Sequence, residues 1–232
     1  ALTRRIIELR LVTQSIDYIE FSWMALGSEG RNEQTFATDQ DNGIIFAARD
    51  ATQIETTRQK LLLFAQEVNR DLDVCGFPLC KGNIMAGNPE WCLSESEWQQ
   101  KFSAWLESPQ PGALLNASIF FDFRCLWGNT ALVESLRAWL AERSKKSKIF
   151  LHWMASNALQ SAPPLGMVRD FVVEDGGEFA GSIDLKISGA RLCADAARVY
   201  ALASGTTETN TAERLRHSGA QLGIPSEETE AV

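Results

Sequence analysis

Hydrophobic and polar positions follow two periods along this chain, and the change between them suggests its organisation. Residues 3–14 set Ile6, Ile7, Leu9, Leu11 and Val12 among Arg4, Arg5, Glu8 and Arg10, a spacing that predicts an amphipathic helix. Two dense apolar runs, Phe21 to Leu26 and Ile44-Ile45-Phe46, read as strands separated by a Gly27-Ser28 turn and a polar stretch. Asp50 is placed to cap a helix over about 51–70, where Ile54, Leu61, Phe64, Val68 and Leu72 recur near helical spacing. Gly76-Phe77-Pro78 breaks it, and Leu79 to Ala86 reads as a third strand weakened by Gly82.

Ser94 and Glu97 have capping-box spacing, and the helix they begin carries Trp98, Phe102 and Trp105 as a core stripe before Pro109. Residues 117–124 read as a strand with Ile119, Phe121 and Phe123 on one face and Phe120, Asp122 and Arg124 on the other. From Asn129 onward the pattern turns mainly helical, with helices over about 130–143 and 146–160. A hairpin is expected from Phe171-Val172-Val173 and Gly181 to Ile187 around Asp175-Gly176-Gly177. Helices over 189–203, ending at Gly205, and 211–222, with Asn210 and Glu213 at capping-box spacing, complete the chain. The expected fold is α+β over residues 1–128, followed by a mainly helical domain with a small hairpin over 129–232.

The chemistry is densest between the first two strands. Asp39 and Asp41 stand two residues apart, and in extended chain such side chains share a face. Like charges held together call for a shared cation, and hard carboxylate donors suit Mg2+ or Mn2+. The bland alternative is a solvated turn ahead of a strand. Gly27 and Ser28 offer backbone N–H groups and a hydroxyl to a phosphate, and Arg31 offers a bidentate contact. An Arg31–Glu33 ion pair that shapes the loop is an equal reading. Asp122 is the only acid in a later strand-like apolar run, where it shares a face with Arg124; a structural ion pair between the two is one reading.

Composition narrows the partners. A net charge of −8 disfavours a nonspecific grip on nucleic acid. No apolar run is long enough to cross a bilayer, and the start lacks a signal-peptide core, so a cytoplasmic location is expected. The five cysteines form no C-x-x-C pair and read as buried free thiols rather than disulfides or a zinc site. The start without methionine is expected to reflect a cut fragment or a processed chain.

The string Met24 to Gln34 with Thr38-Asp39-Gln40-Asp41-Asn42 resembles the DNA-polymerase-beta-like nucleotidyltransferase superfamily. It is most similar to the bacterial signal-transduction family found behind cyclic-nucleotide-binding and CBS domains and related to protein-PII uridylyltransferase. The blocks Cys80 to Ala86, Asn88 to Trp91, Phe120 to Arg124, Pro163 to Gly166, Asp184 to Lys186 and Ala197 to Leu202 extend the resemblance over most of the chain. It implies a nucleotidyltransferase-type mixed sheet flanked by helices, and metal-dependent transfer of an NMP group, uridylyl or adenylyl, from an NTP to a protein or small-molecule acceptor. Asp39, Asp41 and Asp122 would be catalytic and would hold Mg2+ or Mn2+. Gly27, Ser28, Arg31 and Lys81 would bind the nucleotide, and regulatory domains would lie upstream. A noncatalytic nucleotide-sensing module with the same fold is the other reading.

Overall fold

Strand β1 (Phe21–Leu26) is buried along its whole length, and the sheet is built outward from it. In this computed structural model, residues 2–35, 38–48, 50–108, 117–160 and 181–225 are described, together with 173, 176 and 227. Among the described residues the sheet has four strands in the order β3-β2-β1-β4, where β2 is Asn42–Phe46, β3 Cys92–Ser94 and β4 Phe123–Gly128. β1 is antiparallel to β2 and β4, and β2 is parallel to β3, so the sheet is mixed, as expected. Phe21 lies opposite Phe46 and Ala25 opposite Asn42; on the other side Leu26 lies opposite Phe123, with a bulge at Trp23/Met24.

A central strand with both faces covered shows no polar alternation, and Phe21 to Leu26 is such a strand. On one face Phe21, Trp23, Ile44 and Phe46 pack with Ile6 and Ile7 of α1 (Leu2–Thr13). Leu61, Phe64, Val68 and Leu72 of α3 (Ala51–Val74) belong to the same core. Between them in the chain, α2 is the single helical turn Gly27–Gly30. Trp98, Phe102 and Trp105 of α4 (Glu95–Glu107) form an aromatic cluster with Trp91, Phe120 and Phe121, and Trp98 Nε1 donates to the Ile44 carbonyl at 2.9 Å. The apolar stripe of α4 is thus core, as its spacing predicts.

Local capping signals translate directly. Asp50 accepts from the N–H groups of Thr52 and Gln53 at the start of α3. Ser94 N donates to Glu97 Oε2 at 2.8 Å while Glu97 N donates to Ser94 Oγ at 3.3 Å, a reciprocal capping box.

Two expected strands differ. Residues 79–86 form turns rather than a strand, and the parallel edge is supplied by Cys92–Ser94. The reason is that this segment's polar backbone is bonded across to the loop before β2: Gln40 N donates to Pro78 O and Asn42 N to Ile84 O. Residues 117–120 form a helical turn, and strand pairing begins only at Phe123, so the predicted alternation over 117–124 does not arise. Phe120 and Phe121 both enter the aromatic cluster, and that burial overrides the strand-like composition.

The chain divides into two compact units, one of Ala1–Trp105 with Leu115–Leu140, the other of the remaining residues. Helix α5 (Thr130–Lys146) contains one of the division points. Within the second unit, α6 (Lys148–Ala158), α7 (Arg191–Ser204) and α8 (Thr211–Leu222) are helical. Asn210 caps α8 by accepting from Ala212 N and Glu213 N, and Gly205 ends α7 in the left-handed conformation. The first arm of the predicted hairpin lies almost wholly outside the described residues. Its second arm is not a strand: 182–184 are irregular and Lys186–Ala190 is a π-helical turn.

Candidate active site

The loop before β2 alternates acid and amide, and the alternation sorts the side chains. Gln40 and Asn42 are buried, and each binds inward. Gln40 Nε2 donates to the carbonyls of Asn69 and Phe77, Asn69 Nδ2 donates to Gln40 Oε1 and Asn42 Oδ1, and Ala86 N donates to Asn42 Oδ1, all at 2.8–3.0 Å. Buried amides satisfied on several sides hold backbone in one arrangement. Asp39 and Asp41, on the alternate positions, are left half-exposed and converge.

Their convergence takes in a third donor. One ligand atom each from Asp39, Asp41 and Cys80 lie within 4.8 Å of one another. Burial pushes the Cys80 thiol up to about 11, and the neighbouring Asp41 carboxylate adds to that effect. Cys80 was expected as a buried bystander; it is half-buried at the site, and of the five free cysteines only Cys92 is fully buried. Packing of the 77–86 segment against the acidic loop, which no local pattern announces, puts it there.

Asp41 follows the end of β1 in space as well: Leu26 N donates to the Asp41 carbonyl at 3.0 Å. Gly27 then turns the chain at φ +57°, where a Cβ would be strained and would lie 3.4 Å from Asp41 Oδ2. The Gly-Ser turn and the acid pair are therefore neighbours. Ser28 is half-buried, and the N–H groups of a first helical turn lack intrahelical acceptors. Gly30 permits the other close approach: a Cβ there would meet the Asp122 carbonyl oxygen at 2.0 Å.

Asp122 sits at the same end of the sheet, one residue before β4, but does not join the Asp39/Asp41/Cys80 group. Its carboxylate is fully buried and accepts from Arg31 Nη1 at 2.6 Å, while Arg31 Nε donates to Glu33 Oε2 at 2.8 Å. The Arg31–Glu33 ion pair, one of the two readings of that loop, is present, and Asp122 pairs with Arg31. Arg124 Nε instead donates to the Glu29 carbonyl at 2.9 Å, so Arg124 and the Arg31–Asp122 pair both tie α2 to the start of β4. Lys81, next to Cys80 in a turn closed by Asn83 N donating to Cys80 O, is exposed.

Glu29 is a further acid at the site. Burial raises its carboxyl above the usual range and the Asp41 charge contributes, against the opposing pull of Arg124. With Gln34, Asp39 and Gln40 it lines a recess of about 100 Å³. That volume suits an ion with its water, not a whole nucleotide.

Half-exposed hard oxygens converging beside a glycine turn fit a divalent cation, and Asp39 and Asp41 are the residues that would hold it. The fold is α+β, a four-stranded mixed sheet among the described residues flanked by helices, as a nucleotidyltransferase-type fold is expected to be. A family model described as "Putative nucleotidyltransferase DUF294" matches residues 1–112, and one described as "Putative nucleotidyltransferase substrate binding domain" matches residues 148–232. The chain belongs to this nucleotidyltransferase family. No curated protein and no solved structure matches it.

Proposed function

We propose that this chain transfers an NMP group, uridylyl or adenylyl, from an NTP to a protein or small-molecule acceptor, with release of pyrophosphate, as the catalytic part of a bacterial signalling protein. The observation that carries the reading is the convergence of Asp39 and Asp41 beside Gly27. A Mg2+ or Mn2+ ion bound there supplies charge neutralisation for the triphosphate. The chain's own residues do the rest. Asp39 and Asp41 orient that ion from a backbone fixed by Gln40, Asn42 and Asn69. Gly27 and Ser28 receive the phosphates, and exposed Lys81 draws them toward the loop by charge. Arg31 and Asp122 keep α2 seated. We assign Asp122 this anchoring role, since its carboxylate is engaged by Arg31.

The acceptor, the upstream regulatory domains and a cytoplasmic location belong to the same proposal and rest on the family resemblance. Among the described residues no helix is long and apolar enough to cross a membrane.

The engagement of Asp122 by Arg31 favours one competing reading, a module that binds NTP and transfers nothing. Two measurements separate them. Calorimetry with Mg2+ should show NTP binding weakened at least about tenfold by Asp39→Asn or Asp41→Asn; unchanged binding would refute the metal assignment. Pyrophosphate release from an NTP with cell-extract acceptor supports transfer, and its absence with every NTP supports the sensing module.

A further inference from the structure

We propose that Asp39, Asp41 and Cys80 form a three-donor site that takes a thiophilic divalent cation of the Zn2+ class in competition with Mg2+. This rests on the reading of Asp39 and Asp41 as a metal pair and adds to it a selectivity that two carboxylates alone would not have.

The donors are brought together by backbone. Gln40 N donates to Pro78 O at 3.1 Å and Asn42 N to Ile84 O at 3.1 Å, so the 78–84 segment is fastened to the acidic loop on both sides of Cys80. The Gln40 side chain adds a bond to Phe77 O and the Asn42 side chain one from Ala86 N. Cys80 itself opens a turn closed by Asn83 N donating to its carbonyl at 2.9 Å, with Asn83 at φ +54°. The thiol is thus presented to the two acids from a braced segment.

The donor separations suit one ion. Zinc binds sulfur at about 2.3 Å and carboxylate oxygen at about 2.0–2.2 Å, so in tetrahedral geometry two donors on one ion lie roughly 3.3–3.7 Å apart. The three atoms here lie within 4.8 Å of one another, so side-chain rotations that move a donor by about 1 Å would bring all three onto one ion. Three protein donors leave a coordination position for water or a phosphate oxygen, the pattern of a catalytic rather than a closed structural zinc site. Mg2+ takes oxygen donors and uses a thiol poorly, whereas Zn2+ takes sulfur and carboxylate together. Ligation releases the thiol proton: the S–H bond is lost as the metal–sulfur bond forms, and one proton goes to solvent.

The test uses Cd2+ as a spectroscopic stand-in for Zn2+, titrated into the whole chain with the ultraviolet thiolate-to-metal charge-transfer absorption as readout. Cys75→Ser and Cys193→Ser, which remove the two exposed thiols, form the background protein. The expected result is a charge-transfer band that saturates at one ion per chain, is displaced by Zn2+, and is lost on Cys80→Ser. Zn2+ affinity should fall at least about tenfold in Cys80→Ser, with Mg2+ affinity within about twofold of the parent. A band or Zn2+ affinity that survives Cys80→Ser overturns the proposal while leaving the Mg2+ site intact. Mg2+ binding unaltered by Asp39→Asn with Asp41→Asn would instead bring down the metal reading of the acid pair itself. Circular dichroism confirms that each variant is folded.

Discussion

At the scale of single residues, two glycines and one buried acid define how closely the Gly-Ser turn approaches the sheet. Gly30→Ala puts a methyl group 2.0 Å from the Asp122 carbonyl oxygen, which is rigid backbone. The expected cost is about 1–3 kcal/mol, read from urea unfolding, with weaker NTP binding because α2 must shift. Asp122→Ala leaves Arg31 largely buried beside Glu33, and the loss is expected near the lower end of the ~3–5 kcal/mol that breaking a buried ion pair costs. If Asp122 anchors α2, Mg2+ affinity in that variant stays close to the parent; a large loss would return Asp122 to the metal. The acid pair was legible as residues because an i, i+2 relation is local. Cys80 was not, since its position depends on hydrogen bonds between Gln40 and Pro78 and between Asn42 and Ile84.

At the scale of elements, helices carry their own termination signals and strands depend on partners. The Ser94/Glu97 capping box and the Asn210 cap were readable because each spans three residues. Ser94→Ala is expected to lower stability by about 1 kcal/mol in thermal or urea unfolding. The contact between α1 and α3 is a different kind of feature. Arg10 donates from Nε and Nη2 to the two oxygens of Asp71 at 2.5 and 2.6 Å and from Nη1 to Glu67 at 3.1 Å. The Arg10 hydrogen bond, with its charge, holds the Asp71 carboxyl below the usual range. A carboxyl depressed on folding stabilises above its unfolded value, about 3.9, and that stabilisation is lost as pH falls through the lower folded value. The parent should therefore exceed Arg10→Ala in stability by up to about 1 kcal/mol at pH 7, and the difference should vanish once Asp71 is protonated in acid. An unchanged difference in acid would mean that Arg10 acts by packing alone.

At the scale of the whole molecule, a net charge of −8 sets the electrostatic outlook. Fluorescence anisotropy with a labelled single-stranded oligonucleotide at low salt should show no binding, because too little positive charge is present for phosphate neutralisation to drive association. Two compact units and two family matches describe a chain whose first part carries the acid pair and whose second part is helical among its described residues. The sequence by itself determined what lies within a few residues: the apolar run of β1, the aromatic stripe of α4, the caps, and the pairing of Asp39 with Asp41. Tertiary structure decided what distant segments do to each other. It made 79–86 a set of turns fastened to the acidic loop instead of a strand, turned Phe120 and Phe121 into an aromatic core, and gave Asp122 to Arg31. The physical reason is the same in each case. Propensity and periodicity act through neighbouring residues, whereas a buried hydrogen bond or ion pair forms only when folding brings both partners out of water together. The acid pair was visible in the chain; the thiol beside it is a product of the fold.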